Sequence, residues 1–458
     1  MVQGPEAGNG MISPDELKAL VGAGEIDTVI VAITDAQGRL QGKRCGARFF
    51  LEEVMHHGAE GCNYLLAVDV DMNTVDGYTM SSWADGYGDM VMKPDLETMR
   101  VLPWIDGSAL VLCDVLWLDD SPVVASPRQI LKRQIERLAE LGYQAFAGTE
   151  LEFILFEDSY EEAWRGHYND LTPATLHNVD YSLLATTRLE PLIRDIRVGM
   201  EGAGLYLEAA KGECNYGQQE IGFRYDNALT SCDNHVIYKN GAKEIAAQHG
   251  KSLTFMAKFN EREGNSCHVH LSLRKLDGGP VLAGEGRYGF SNVMEHFIAG
   301  QLAVMKEFTY FLAPNINSYK RFVEGSFAPT AVAWGLDNRT CALRIVGHGQ
   351  SLRTENRAGG GDVNPYLAVA AMIAAAVYGI ENQLELPAIT TGNAYTSGAD
   401  RLPTTLRSAR DLLAGSAIAR EAFGADVIAH YVNAADVELQ AFESTVTDWE
   451  RFRGFERL

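Results

Sequence analysis

The chain has 458 residues, 46% of them hydrophobic and 22% charged, and carries a formal net charge of −22. The composition is ordinary for a globular protein, and the length asks for two domains, one of them large. Such acidity excludes nucleic acid and anionic membrane as expected partners and requires that any anionic substrate be met by locally clustered Arg and Lys. Seven cysteines without a CxxC spacing fit a reducing cytoplasm. The opening segment has neither a basic n-region nor an apolar h-region, and no apolar run reaches membrane-spanning length, so a cytoplasmic location is expected.

After a short flexible leader, Ser13-Pro14-Asp15-Glu16 reads as an N-cap, a Pro at the first helical position and an acidic first turn, ahead of Leu17, Leu20 and Val21. Thr28 to Ile33 is a β-branched strand, Asp35 to Gly38 a turn and Arg39 to Cys45 the return strand. Gly38 to Arg44 has a phosphate-loop look, but it is one residue short and lies in a hairpin. Tyr64 to Val70 reads as an apolar strand followed by a polar turn at Asp69, Asp71, Asn73 and Asp76. A calcium loop there fails, because Thr74 and Met80 stand where Gly and Glu are needed. Ala109 to Leu118 is a further strand, and Asp119 to Pro122 marks a linker, placing the domain division at 13–120 and 121–458.

The second segment opens with a helix from Ser126-Pro127-Arg128 to Gly142. Gly148 to Phe156 follows as a strand whose alternation turns Glu150 and Glu152 to one face and Leu151 and Phe153 to the other. Two carboxylates ~5 Å apart at an effective dielectric of about 20 repel by roughly 3 kcal/mol. In a strand whose neighbours are Phe-Ile-Leu-Phe, that repulsion asks for a cation between them. Beyond a polar excursion (158–182) and a helix (about 187–203), Leu205 to Tyr225 carries Glu208, Lys211, Glu213, Glu220 and Arg224 around Gly212 and Gly217, a Gly-rich turn between two strands.

Ser252 to Phe259 is a strand, and in the next one His268, His270 and Ser272 alternate with Val269, Leu271 and Leu273. Two imidazoles on one strand face point to a metal or phosphate role, and the abundance of Glu with no ligating Cys favours magnesium or manganese over structural zinc. Gly284 to Gly289 matches a dinucleotide pattern. The strand before it is too short, and the ribose-binding acid would fall near Glu307 inside a helix, so it reads as a surface turn. Arg321, Arg339, Arg344, Arg353 and Arg357 are five Arg within 37 residues, which in so acidic a chain suits a phosphate and carboxylate cradle.

The ordered set Glu150-x-Glu152, Glu213…Glu220, Gly264…His268-x-His270-x-Ser272, Asn317-Ser-Tyr-Lys-Arg321, Asn338-Arg339…Arg344 and Arg353-x-Glu355-x-Arg357 resembles type I glutamine synthetases over nearly the whole chain. The tail, with Cys232 to His235 and Gly264 to Cys267, is similar to that of actinobacterial γ-glutamyl-amine ligases, the γ-glutamylethanolamide and γ-glutamylpolyamine synthetase types. The resemblance implies an α+β fold: a small N-terminal β-grasp domain and a large catalytic domain with a curved antiparallel sheet flanked by helices. It implies Glu152, Glu213 and Glu220 as ligands of one metal, and Glu150, His268 and Glu355 as those of a second, with two or more Mg2+ or Mn2+ ions per site. His270, Ser272, Arg344 and Arg353 would hold ATP phosphates, with Tyr225 near the adenine. Gly264, Arg321, Arg339 and Arg357 would hold glutamate or the transferred phosphoryl group.

Ammonia-using relatives carry Glu where this chain has Phe327, and the Ser-Ser that follows their Asp-Gly is here Tyr78-Thr79 after Asp76-Gly77. The implied activity is therefore ATP-dependent joining of L-glutamate's γ-carboxyl to a small amine, ethanolamine first, through a γ-glutamyl phosphate. Asp76, Glu324 and Arg339 form its catalytic set, and Phe327 shapes the amine pocket. Polyamine ligation, glutamine synthesis from ammonia and a catalytically silent relative remain as alternatives. The resemblance further implies a homo-oligomer, a dodecamer of two stacked hexamers, in which Asp76 serves the neighbouring subunit.

Overall fold

A computed structural model describes residues 10–458; the leader expected ahead of Ser13 lies, through residue 9, outside them. Strands and helices combine in the α+β class. Fifteen strands occur among the described residues: β1 Thr28–Thr34, β2 Leu40–Gly46, β3 Ala59–Cys62, β4 Asp89–Pro94, β5 Arg100–Val101, β6 Ser108–Leu116, β7 Tyr143–Phe156, β8 Leu207–Gly212, β9 Gln218–Phe223, β10 Asp226–Asn227, β11 Ser252–Thr254, β12 Cys267–Lys275, β13 Trp334–Leu336, β14 Leu343–Val346 and β15 Arg353–Asn356. They form two sheets. The first runs β2-β1-β6-β4-β3 with β5 on β6, and the second runs β13-β14-β15-β12-β7-β9-β8 with β10 and β11 on β7. In the first, β1 and β6 pair in parallel at the centre; in the second only β13 and β14 do.

The first helix, Pro14–Ala23, starts where the sequence places it: the Ser13 hydroxyl accepts from the Glu16 N–H, and the Glu16 carboxylate accepts from the Ser13 N–H. The segment Tyr64 to Val70 is not the strand its apolar run suggests. Asn63–Leu66 is a short 3-10 helix, because the Asn63 side chain donates to the Met80 carbonyl and accepts from Ser81, anchoring the turn that follows. Asp69 then accepts from the Asn73 backbone and side chain, as a polar turn should. The strand expected from Ser252 to Phe259 stops at Thr254, since the Asn265 side chain takes the Thr254 and Met256 carbonyls and ends the ladder.

β7 is the spine of the second sheet. Its apolar face (Leu151, Phe153, Leu155), with Ile221 of β9 and Val269, Leu271 and Leu273 of β12, packs into one core with the Pro127–Glu140, Ala228–Gln248 and Pro365–Glu381 helices. At roughly 25 cal/mol per Å² of apolar surface, each such side chain stabilises by about 1.5–3 kcal/mol. The Pro365–Glu381 helix is almost wholly buried and rich in Ala. It crosses the Asn292–Ala303 helix at Gly379 and Gly300, where a Cβ on Gly300 would lie 2.1 Å from the Ala375 carbonyl oxygen.

One buried guanidinium ties the first sheet to the Ala228–Gln248 helix, which packs behind the second. Arg128 donates from Nε and Nη2 to the two Asp233 carboxylate oxygens at 3.0 Å, and at 2.6 Å to Asp114 and Asp95, which come from the first sheet and its following turn. Tyr366 donates to Asp233 at 2.6 Å, closing the network. Arg100, 2% exposed on β5, reaches Asn234 at 2.9 Å beside it. Arg128→Met is expected to leave three carboxylates without their shared cation and to destabilise the protein by about 3–5 kcal/mol, read as a lower urea midpoint. An unchanged midpoint would show that the network carries little of the junction's stability.

Candidate active site

The register of the second sheet builds the site. On β7 Glu150 stands opposite His268 of β12 and Gly222 of β9, and Glu152 stands opposite Glu220. Glu220 in turn faces Lys211 on β8, while His270 faces Glu355 on β15 and Glu355 faces Arg344 on β14. Period-two alternation therefore collects the charged side chains on one face, opposite the Leu and Phe face that fills the core. Glu213 joins from the turn after β8, whose path is fixed by Gly217 at φ +75° with the Leu155 carbonyl 2.3 Å from where a Cβ would sit.

Two clusters result. Ligand atoms of Glu150, His268 and Glu355 lie within 4.8 Å of one another, and so do those of Glu152, Glu213 and Glu220. In the first, Glu355 is 0% exposed and is held by Arg357 and, at 2.6 Å, by Arg344. Burial opposes its charge, but His268, Arg357 and His270 hold its carboxyl below the ordinary range. Burial also opposes the charge of Glu150, yet hydrogen bonds from His268 at 3.1 Å and His270 at 2.9 Å hold it well down. Arg353 Nε donates to His270 Nδ1 at 3.1 Å, so that ring carries its proton on Nε2 and donates to Glu150. Burial and Arg357 push His268 down to about 4, leaving a neutral imidazole, and its Nε2 is a buried atom without a hydrogen-bond partner.

The second cluster is the reverse. Burial and the neighbouring Glu213 raise Glu152 to about 8, and burial with Glu150 and Glu152 raises Glu220 to about 8. Burial raises Glu213 as well, against the pull of Lys211. Glu152 accepts from the Ser266 N–H at 2.7 Å and from Gln218 at 3.1 Å, which aim it without neutralising it. One buried and two half-buried carboxylates, with a neutral imidazole and two more ionised carboxylates alongside, fit hard divalent cations such as Mg2+ or Mn2+.

Alongside both clusters opens a cavity of about 670 Å³, room for a nucleotide. Tyr225, His270, Ser272 and Arg353 line it, with Glu150, Glu220 and Lys211 at its acidic end. Tyr225 is half-exposed, accepts from Arg274 at 3.0 Å and packs edge-on against Phe146.

Other residues singled out in the sequence are placed differently. Arg344 does not line the cavity; it is committed to Glu355 and Asp337, because its strand position is directly opposite Glu355. Arg321 is 2% exposed and Nη2 donates to the carbonyls of Arg357, Ala358 and Gly359, so it braces the wall of the site instead of reaching into it. Gly264 packs against it: a Cβ there would meet the Ala257 carbonyl at 2.2 Å and Arg321 at 2.9 Å. Arg357 donates to Glu355 and to the Phe327 carbonyl. Arg339, Glu324 and Phe327 are exposed, Phe327 at φ +60°. Asp76 is exposed on the small-domain side, where its carbonyl accepts from Asn433, and it joins neither cluster. Sequence reading gave no role to Lys211, Gln218 or Asp180. Lys211 carried a related signal, a charge at the end of β8 two residues before Glu213.

Comparison with known proteins follows the same lines. The sequence profile of the glutamine synthetase catalytic domain matches residues 124–453. A γ-glutamylethanolamide synthetase of Streptomyces coelicolor is 64% identical over 97% of this chain and 96% of its own. A glutamate–isopropylamine ligase of a Pseudomonas species is 38% identical over 93% and 95%, and a glutamine synthetase of Thermotoga maritima is 31% identical over 95% and 98%. Among solved structures, a GmaS/ADP complex superposes with a TM-score of 0.84 at 28% identity, covering 96% of this chain and 99% of that one.

Because Glu152 and Glu220 hold protons more readily folded than unfolded, the folded chain keeps protons that the unfolded chain has released between the ordinary carboxyl range and about pH 8. Stability of the cation-free protein is therefore expected to fall as pH rises through that window. Saturating Mg2+ should remove the fall and raise Tm at pH 8 by about 2 °C or more; Glu220→Gln should flatten it without Mg2+. Thermal melts with chelator and with Mg2+ across pH 5–9 check this, and a pH profile indifferent to Mg2+ would count against cation binding at the trio.

Proposed function

The chain belongs to the glutamine synthetase family, and from that premise we propose that it is an ATP-dependent γ-glutamyl-amine ligase whose acceptor is ethanolamine. The observation that carries the reading is a nucleotide-sized cavity lined by a member of each of two ligand clusters, Glu150 and Glu220. The relatives that are named as ligases of glutamate with ethanolamine or isopropylamine support an amine acceptor, and the neighbour solved with ADP supports a nucleotide in the cavity.

In this reading the γ-carboxylate of L-glutamate attacks the γ-phosphorus of ATP, giving γ-glutamyl phosphate and ADP. The ammonium first gives up a proton, for which Glu324 and Asp76 are the proposed acceptors. The free amine nitrogen then attacks the acyl carbon, loses its second proton to the departing phosphate or to solvent, and the C–O bond breaks as phosphate leaves. Divalent cations, when bound, offset the charge of the polyphosphate and of the attacking carboxylate. The protein supplies the rest. Glu150, His268 and Glu355 on one side, and Glu152, Glu213 and Glu220 on the other, are the residues that would hold the ions. Arg353 and His270, hydrogen-bonded to each other, face the cavity where the phosphates would lie. Arg339, exposed and in no ion pair among the described residues, is the cation proposed for the transferred phosphoryl group. Arg321 and Arg344 act by holding the wall and Glu355 in place, and the segment 121–458 is taken as the catalytic domain.

Phe327 replaces a carboxylate near the acceptor side with an apolar ring, which disfavours ammonium and leaves room for the carbon chain of an amine. Glu324, exposed close by, and Asp76 are the anions proposed to attract its ammonium group. Asp76 belongs to neither cluster of its own chain, which suits a site completed by a neighbouring subunit and thus a homo-oligomer, with the dodecamer of stacked hexamers as its form. A cytoplasmic enzyme of amine assimilation is the setting this implies; among the described residues no helix is long and apolar enough to cross a membrane.

Coupled ADP release with glutamate and saturating Mg-ATP is expected to give a kcat/KM for ethanolamine roughly tenfold or more above that for ammonium or putrescine. Ammonium as the best acceptor would overturn the amine assignment. Absence of ADP release with any amine would overturn the ligase. Glu220→Gln should lower kcat by roughly a hundredfold with the fold intact.

A further inference from the structure

Lys211 stands at the edge of the trio, against Glu213, and has no place in the mechanism above. It sits on β8 with its Cα paired to Glu220, and its Nζ touches the Glu213 carboxylate, lies 3.6 Å from Asp180 and sits 4.5 Å from the centre of the Tyr181 ring. Among the described residues it is the sole Lys or Arg within ion-pair distance of Glu152, Glu213 or Glu220. The same side chain lines the nucleotide-sized cavity together with Glu150, Glu220, His270 and Arg353. One flexible cation thus borders both the metal trio and the space for polyphosphate.

A divalent ion bound by the trio must approach its carboxylate oxygens to about 2.0–2.1 Å if it is magnesium. An ammonium already touching Glu213 opposes that approach by charge and by occupancy, so the two cations exclude each other at that oxygen. The four-carbon stem of a lysine lets the displaced ammonium turn while its backbone stays in the ladder. Two anions are then in reach, Asp180 behind it and any polyphosphate in the cavity in front.

We propose that Lys211 is a tethered counter-ion that occupies the acidic trio until a divalent cation replaces it and then turns into the cavity to contact the nucleotide's phosphates. The inference rests on the ligase reading and adds to it an order: cation entry presents the phosphate-binding ammonium. It also accounts for how three clustered carboxylates, Glu152 buried and Glu213 and Glu220 half-buried, are tolerated before the cation arrives.

Removing the ammonium should therefore have two effects of opposite sign, which general damage to the site would not produce. Titration calorimetry on the full-length chain in alkaline buffer measures MgCl2 binding without nucleotide, and ADP binding at saturating Mg2+. Lys211→Met is expected to bind Mg2+ about fivefold more tightly and ADP about fivefold more weakly than wild type, the low end for coupled sites. Lys211→Arg, which keeps the charge, should move both values back toward wild type. Lys211→Gln gives the same charge removal if the Met variant melts early. Mg2+ binding that is unchanged or weaker in a variant melting like wild type overturns the inference, as does unchanged ADP binding. A wild-type chain that binds neither Mg2+ nor ADP removes the ligase reading itself, an outcome distinct from those two.

Discussion

Gathering five glutamates, on β7, β9 and β15 and the turn after β8, into one buried or half-buried row is the constraint around which the second sheet is built. Each carboxylate taken from water alone would be prohibitively unfavourable, and neighbours of like charge make it worse. The structure divides the problem into halves. Glu150 and Glu355 are held ionised by two imidazoles and two guanidiniums, while Glu152, Glu213 and Glu220 are left short of positive charge apart from Lys211. The first half is a prepared ligand set, with His268 neutral. The second half stores the repulsion that a divalent cation relieves. A site of this kind binds its ions through electrostatics already in place, which is also what speeds a reaction between two anions.

The rest of the fold keeps that row in register. Glu150, Glu152, His268 and Glu220 stand side by side because β7, β9 and β12 pair without slip over this stretch, and a slip of one residue would turn every carboxylate into the core. The Leu and Phe face of β7 fixes the register by burial against the helices behind it. The side chains of Gln218, Asn265 and Arg321 brace the loops around the row by taking backbone carbonyls. At the far edge, Arg128 and Arg100 join the first sheet to the Ala228–Gln248 helix, so the segment that carries Asp76 is attached to the body that carries the clusters.

In the proposed function the clusters carry the chemistry of the glutamine synthetase family, and the acceptor is left to a few exposed side chains. Phe327, Glu324, Arg339 and Asp76 are all at the surface of a single chain, in contrast to the buried Glu355, Arg321 and Arg357. Buried positions are constrained by packing and by one another's charge, so metal and phosphoryl handling tolerates little change. Exposed positions on loops are free to vary, and the acceptor amine is the part of the reaction they would set.

Much of the site could be read from the order of residues. Strand alternation alone put Glu150 with Glu152 and His268 with His270, because a period of two is a local property of the chain. Helix starts at Ser13 and Ser126 were legible for the same reason, a serine followed by proline being a local signal, although only the Ser13 hydroxyl makes the cap bond. Tertiary structure decided what depended on partners far along the chain. Arg344 belongs to Glu355 instead of the cavity because β14 pairs with β15 in that register, and Arg321 braces the wall because three carbonyls of residues 357–359 converge on it. The strand at Ser252 ends at Thr254 because Asn265, eleven residues on, takes its carbonyl. Spacing determines which side chains share a face; which of them meet, and which cation answers which anion, follows only from cross-strand pairing and burial.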